Sequence, residues 1–447
     1  MSNRIFAATL VVLAFVVPGA RADDTTWTRT FFTGQASLPA RVRCSGTDVY
    51  VAGSATQPST MSAYLLKYDV NGDLEWFLDI EFYLYNLAVG LAVGPDSNPV
   101  IGLDIGYTAA RAALIKVSSS GDTLWTRTWD LAAVEALAID QNNNVYVAGT
   151  RGASIQDSLW IAKLTGDGAM VWSRTYRLAG AHTVNGAGVN SAGELYVPML
   201  LIESAEWPEV AKFSSAGDTL WRKKYGGVTR HFGIAVEPAG SFFLVSNSSA
   251  KKLNGDGSQQ WSASVPSGTL GQDAAIDDAG NGYVCFNDNS QDFKVRRYAA
   301  ANGAVQWTKR CVLPTQDLPL SVAADAQRQA VVAGMGIDGS VMRNLTVRFT
   351  SSPGVAEPEE PGRAPDGWIA LHQDVGPVRR LSGTVPGAGT YRLRVYDGTG
   401  RTVVRDRAVN LESGPFCIPL PALAGGVYFA SLCGPAGSGS GRFVVID

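Results

Sequence analysis

Two imidazoles and two carboxylates stand at corresponding points of a repeated pattern. Ten residues after each of seven tryptophans the chain reads Ser37, Asn86, Glu135, His182, His231, Gly271 and Asp317. Histidine and carboxylate side chains brought together can move protons, bind a polar ligand or hold a divalent cation. Glu135, His182, His231 and Asp317 are therefore the first candidate ligand site. Strand entrances that face solvent are polar in any case, and no metal site is expected. A second candidate is the aromatic pair Tyr107 and Trp207, the latter read as a loop residue among Glu203, Glu206 and Glu209, which suits a sugar or a protein partner. The chain has three His in all and no G-x-S-x-G, no H-E-x-x-H and no Gly-rich phosphate loop. No catalytic residue and no cofactor are assigned. Asp69-Val70-Asn71-Gly72-Asp73 resembles half a calcium loop but lacks the distal Glu in register, and reads as turn chemistry.

The elements that must position these residues are short strands. Trp27, Trp76, Trp125, Trp172, Trp221, Trp261 and Trp307 are spaced by 49, 49, 47, 49, 40 and 46 residues. Most follow a turn (NGDLEW, SGDTLW, DGAMVW), and before the turn comes a strand carrying a cation (YLLKYD, ALIKVS, WIAKLT). Further upstream lie a β-rich run such as NVYVAGT and a run of smaller residues such as VEALAID. Four strands in about 46 residues is the size of one propeller blade. The fold expected is all-β, a seven-bladed β-propeller over residues 23–350, with the polar series entering the innermost strands near the axis. Two-residue turns of type I′ should set each cation opposite its tryptophan, from Lys67 and Trp76 to Lys252 and Trp261, with the cation stacked on the indole. Arg297 and Trp307 are one residue further apart. The last unit ends at LTVRFT without a Trp strand, and residues 27–32 form a Trp strand without a unit. Closure should pair them beside 345–350, with Arg348 in the cationic position. Connections on one face are uniform and on the other diverse, so binding is expected on the diverse face.

Residues 1–22, MSNRIFAATLVVLAFVVPGARA, have a basic residue, Arg4, ahead of a thirteen-residue apolar run and then a small-x-small end, the pattern of a cleaved signal peptide. No later stretch approaches 18 apolar residues, so no membrane span is expected after signal cleavage. With 46% hydrophobic residues, 17% charged and a net charge of −3, the chain is neither disordered nor a nucleic-acid binder by composition. Cys44, Cys285 and Cys311 read as buried thiols, while Cys417 and Cys433 lie in neighbouring tail strands and are candidates to pair. Residues 351–366 hold four Pro and three Glu and read as a stiff linker. About seven short strands follow in 367–447, a small immunoglobulin-like β-sandwich.

Two resemblances extend this reading. Asp397-Gly398-Thr399-Gly400-Arg401, then Leu423-Ala424-Gly425-Gly426-Val427-Tyr428, then Arg442-Phe443-Val444-Val445 resemble the C-terminal sorting domain of type IX secretion substrates, with Asp397, Gly400, Arg401, Gly426 and Tyr428 as the motif. That resemblance covers residues 368–447, departs from the family in its opening and last residues, and implies the secretion machinery as a partner. The immunoglobulin-like domain of flagellar hook-capping proteins has a similar pattern. The propeller units are similar to secreted bacterial β-propeller repeats and to quinoprotein-like repeats, in which G-x-x-x-W closes each blade. The combined expectation is an exported binding or scaffold module at the cell surface or outside, taking an unknown protein or glycan ligand. The alternatives are an extracellular polysaccharide lyase or hydrolase working in the axial funnel, and a periplasmic assembly scaffold.

Overall fold

A computed structural model describes residues 24–31, 36–106, 111–151, 158–177, 181–202, 206–225, 233–246, 249–265, 273–287, 292–311, 316–338, 341–350, 380–385, 387–397, 402–421, 423, 426–434 and 437–445. The chain divides into two compact units, Met1–Ala356 and Glu357–Asp447. The signal-like segment and the Pro/Glu stretch lie outside the described residues. Strands and turns make up what is described, and no helix there is long and apolar enough to cross a membrane.

The first unit is a β-propeller. Its first sheet takes Ala36–Ser45, Asp48–Thr56, Met61–Tyr68 and Leu74–Ile80 in chain order, each antiparallel to the next. Sheets two to six repeat that plan through residues 86–130, 132–177, 181–224, 233–264 and 274–311, except that the innermost strand of sheet four is split into Ala181–Val184 and Gly188–Val189. The seventh takes Gln316–Ala324, Ala330–Asp338 and Val341–Phe349, with Thr25–Phe31 from the other end of the unit as its outer strand. The innermost strands touch in cyclic order, and that of sheet one touches that of sheet seven. Burial follows position in the sheet. Val49, Tyr50, Val51 and Ala52 are all fully buried, because a second strand is covered on both faces by neighbouring sheets. The outer strand Leu74–Ile80 is mostly half-buried or exposed.

Each sheet carries one row of three side chains across its outer strands. Lys67 lies opposite both Tyr50 and Trp76, Lys163 opposite Tyr146 and Trp172, and Lys212 opposite Tyr196 and Trp221. Arg297 faces Trp307, and Arg348 faces Trp27 across the closing pair. The stacking differs from that expected. The ammonium groups of Lys67, Lys163 and Lys212 lie over the tyrosine of the row, at 5.8, 5.0 and 5.0 Å. The tryptophan face is occupied instead by the turn glycine of the next sheet. A Cβ on Gly72 would come within 2.6 Å of the Trp27 ring, and one on Gly121 within 3.2 Å of Trp76. The cation turns toward acceptors. Lys67 pairs with Asp48 at 2.9 Å and Glu75 at 2.7 Å, Lys116 with Asp96 at 2.6 Å, and Lys212 with Glu194 at 2.7 Å.

Cation and indole then converge on one carbonyl of the neighbouring sheet. Lys67 Nζ and Trp76 Nε1 both donate to Ser119 O, at 3.3 and 2.9 Å. Lys116 and Trp125 share Gly166 O, Lys212 and Trp221 share Gly255 O, and Arg348 and Trp27 share Val70 O. The repeated pair is thus a clamp between sheets. Its receiving turn is also different from the type I′ expected: Gly72 has a positive φ of 78° and Asn71 does not, Gly72 N donates to Asp69 O at 3.0 Å, and the register shifts by one residue after Lys67. This is a three-residue loop closed by a glycine bulge. The Asp69 carboxylate accepts from Asn71 N and Asp73 N, both at 2.8 Å, so the calcium-like sequence is spent on the turn.

At the seam there is no hairpin to receive a clamp. Sheet seven ends where Thr350 N donates to Asp24 O at 2.9 Å, and the buried Nε1 of Trp307 has no acceptor among the described residues. Lys309 bonds Thr350 O at 2.5 Å in its place. The second unit pairs Arg380–Val385 with Gly414–Pro419, and forms a four-stranded sheet from Thr402–Leu411, Gly389–Asp397, Gly426–Gly434 and Gly437–Val445 in that order. Both sheets feed one core that includes Tyr391, Leu393, Ile418 and Leu432.

Candidate functional site

The ten-residue count places Glu135 in a different register from its supposed counterparts. The innermost strands of sheets one, two, three and seven each carry a bulge, at Ala40, Val89, Glu135 and Leu320. Ser37, Asn86 and Asp317 lie three residues before their bulges, where sheet three has Ala132. The cause is a short crossing: Leu131 alone, at φ 53°, joins Thr123–Asp130 to Ala132–Ile139. A bulge residue has no partner across the ladder and re-aims its side chain. Glu135 accordingly reaches sheet four, where its carboxylate accepts from Val184 N at 2.6 Å. Burial pushes its carboxyl up to about 7, against the Val184 and Thr150 hydrogen bonds and with help from the Asp104 charge. Asp104 does the same job one sheet earlier, accepting from Val134 N at 3.3 Å, and burial pushes it up to about 6. Sequence reasoning passed over Asp104.

Asp317 is fully buried on sheet seven, and Asn86 is fully buried on sheet two. Glu135 and Asp317 therefore stand on non-neighbouring sheets. His182 contributes its backbone to Ala181–Val184, opposite Leu201; its side chain, like His231 and Tyr107 as a whole, lies outside what is described. Trp207 is not in a loop: it is in the strand Glu206–Phe213, opposite Leu201. Glu209 of the supposed acidic patch is buried, and its carboxylate accepts from Arg222. In the second unit Asp397 lies opposite Tyr428, which is buried, and Gly426 opens its strand. Gly400 and Arg401 lie outside the described residues, as do the side chains of Cys417 and Cys433. Burial raises the Cys311 thiol to about 12 and raises those of Cys44 and Cys285 further, so the three described thiols are poor nucleophiles. Among the described residues no group of three His, Cys, Asp or Glu is placed to hold a metal ion.

Two polar features are built more fully than those foreseen. One is on the face of the crossings. Phe82, Tyr83 and Leu84 are 36%, 48% and 71% exposed, yet their backbone is locked. Asn86 Oδ1 accepts from Phe82 N and Tyr83 N at 3.0 and 3.3 Å, and Nδ2 donates to Tyr83 O and Met61 O at 2.6 and 2.9 Å. Met61 N donates to Leu84 O at 2.8 Å. Beside them the Arg111 guanidinium lies 5.2 Å over the Tyr83 ring and pairs with Asp130 at 2.5 Å. Asn86 belonged to the polar series, but its role is to hold a displayed apolar loop.

The other is at the axis. Arg41 and Arg43 project from the innermost strand of sheet one into a cavity that Asn185, Asp273, Gly90 and Gly186 also line. Arg43 Nη1 lies 2.9 Å from Asp273 Oδ2, Ser321 Oγ donates to the same oxygen at 2.5 Å, and Ala274 N holds Oδ1 at 2.9 Å. Burial alone would raise the Asp273 carboxyl, but Arg43 and Arg41 hold it below the ordinary carboxylate range. Burial lowers Arg41, and Asp273 opposes that. The signal in the sequence was the alternation Arg41-Val42-Arg43, where the bulge register puts Gly90-Leu91-Ala92 and Ala136-Leu137-Ala138 in the next two sheets.

No protein-family model matches the chain, and no curated protein matches it. Among solved structures it is similar to a chain in the crystal structure of a mitotic checkpoint complex, at 13% identity and a TM-score of 0.53, over 78% of this chain and 99% of that one. The β-propeller domain of the trilobed protease from Pyrococcus furiosus aligns at 8% identity and a TM-score of 0.46, over 73% and 100%. A protein of unknown function from Bacteroides caccae aligns at 14% and 0.41, over 60% and 94%. At such identity, the first likeness speaks for the fold alone.

Proposed function

We propose that the propeller is a binding module that recognises a protein partner through the face of the crossings, with Tyr83 and Leu84 as anchors. One observation carries this: three consecutive large apolar side chains are displayed to solvent on a backbone held at Phe82 and Tyr83 by the Asn86 carboxamide and at Leu84 by Met61 N. An apolar loop ordered before binding loses little entropy on association, and a rigid aromatic is the usual anchor of a protein interface. Arg111 and Asp130 supply a polar rim. Most of the diverse connections on this face fall outside the described residues. The test is a photo-crosslinking residue in place of Tyr83, with the same residue at Ser120 on the hairpin face as control. A discrete adduct from position 83 that is absent from 120, and that Leu84→Asp removes, supports the proposal. Equal labelling from both positions rejects it.

The same proposal places the protein outside the cytoplasm, delivered by the second unit. Its supports are the leader-like residues 1–22 and the resemblance of 368–447 to the type IX sorting domain. Cell fractionation of a chain lacking residues 368–447 decides it: unchanged localisation removes the sorting role.

A further inference from the structure

The loop of Phe82, Tyr83 and Leu84 has a neighbour that the repeat does not explain. Leu131, the single residue that carries the chain from sheet two to sheet three, is 54% exposed and left-handed at φ 53°. A bulky apolar residue seldom adopts that backbone, which glycine and asparagine enter most readily. The other non-glycine residues at positive φ among those described are Ser97, Asn143 and Arg328. Each of these is polar and closes a tight turn between a first and a second strand, its N donating to the carbonyl three residues earlier. Leu131 lies instead on the face of the crossings, where strain together with display marks a residue kept for its side chain.

A chain of contacts joins it to the loop. Arg111 stacks on the Tyr83 ring and donates to the Tyr83 hydroxyl, and its Nε donates to Asp130 Oδ1, one residue before Leu131. Two apolar pads therefore flank an ion pair that is already matched, so covering the pair strands no charge. The remaining charge is one-sided. Residues 79–84 and 130–131 contain Asp79, Glu81 and Asp130, all exposed, and no Lys or Arg; Arg111 offsets one of the three. Asp130 itself is 73% exposed and gives Arg111 only one oxygen. We infer that Leu131 is a second anchor of the binding face, and that the partner segment it receives is cationic and apolar, with a Lys or Arg set between two large apolar side chains. This rests on the reading of the Tyr83 loop as a binding site. The apolar side chains seat on the loop and on Leu131, and the cation meets Asp130 between them. An acidic segment of the same shape is repelled.

The experiment presents random dodecapeptides on phage to the whole protein, with Leu84→Asp as the counter-selection. Peptides that wild type enriches and Leu84→Asp does not should carry Lys or Arg between large apolar residues. Their Kd, read by fluorescence anisotropy, should weaken by about tenfold in Leu131→Asn, the loss of one anchor, and by about threefold in Glu81→Lys. Asparagine suits the left-handed backbone better than leucine, so the unfolding midpoint of Leu131→Asn should stand at or above that of wild type. A midpoint well below wild type makes Leu131 a structural residue and overturns the inference. Leu84-dependent peptides that are acidic, or that bind Leu131→Asn as tightly as wild type, overturn it too while leaving the Tyr83 loop as a site. If no enriched peptide depends on Leu84, the loop reading falls and the second anchor falls with it.

Discussion

Arg348→Met is the most searching test of how the ring is held. Arg348 is 2% exposed and its partner Asp325 is 4% exposed. Nε and Nη2 both donate to Asp325 Oδ2, at 2.8 and 2.5 Å, and Nη1 donates to Val70 O of sheet one at 2.8 Å. The residue thus ties the third strand of sheet seven to its own turn, to the neighbouring sheet and, across the ladder, to Trp27. Methionine keeps most of the apolar stem but leaves Asp325 Oδ2 and Val70 O without the guanidinium. The remaining hydrogen bonds to Asp325, from Gln327 N at 2.8 Å and Gln329 N at 2.9 Å, go to the other oxygen. Breaking a buried pair from one side costs about 3–5 kcal/mol. Lys116→Met removes the equivalent clamp within the ring, where Asp96 is 24% exposed and water can take over, so it should cost only about 1–2 kcal/mol. Urea unfolding followed by tryptophan fluorescence measures both. Arg348→Met together with Asp325→Asn should recover a large part of the loss, since the stranded charge is gone. A loss below about 1.5 kcal/mol for Arg348→Met, or the same loss in the two methionine variants, would refute the reasoning.

The other expectations are briefer. A chain starting at residue 33 loses the strand that buries Trp27 and Phe31 and should lose at least about 6 kcal/mol, enough to abolish a cooperative thermal transition of the propeller; a transition within a few degrees of wild type would contradict the closure. Gly72→Ala should cost about 2–4 kcal/mol, from a left-handed backbone and contact with the Trp27 ring, whereas Gly46→Ala, at φ 60° with open space around it, should cost only about 1 kcal/mol; equal losses on denaturation would sink the packing argument. Glu135 has its carboxyl raised from 4.5 to about 7, so the folded chain keeps a proton that the unfolded chain releases, and this contribution to stability falls as pH rises from about 4.5 through 7. Glu135→Gln does not titrate, and its stability relative to wild type should climb across that window by on the order of 2–3 kcal/mol; a flat difference between the two pH–stability curves would show that burial does not perturb the group.

What sequence alone determined here is the part that repeats. A tryptophan needs its turn and a cation opposite it in every sheet, so the spacing of seven indoles disclosed the strands, and the unmatched ends disclosed that residues 27–32 must pair beside 345–350. Local chain geometry governs those features, and local geometry is written in consecutive residues. The partners of the row were not so written. The cation turns away from the indole because the glycine of the next sheet already covers that face, and its acceptor lies some 50 residues along the chain, as Ser119 O does for Lys67. Glu135 moved by three positions because one crossing is shortened to Leu131, a change that no count of periods detects. Arg41, Asn185 and Asp273 meet only because the ring closes and brings the inner strands of sheets one, four and six to a common axis. Repetition fixes what each sheet is; closure decides which side chains from different sheets share a space.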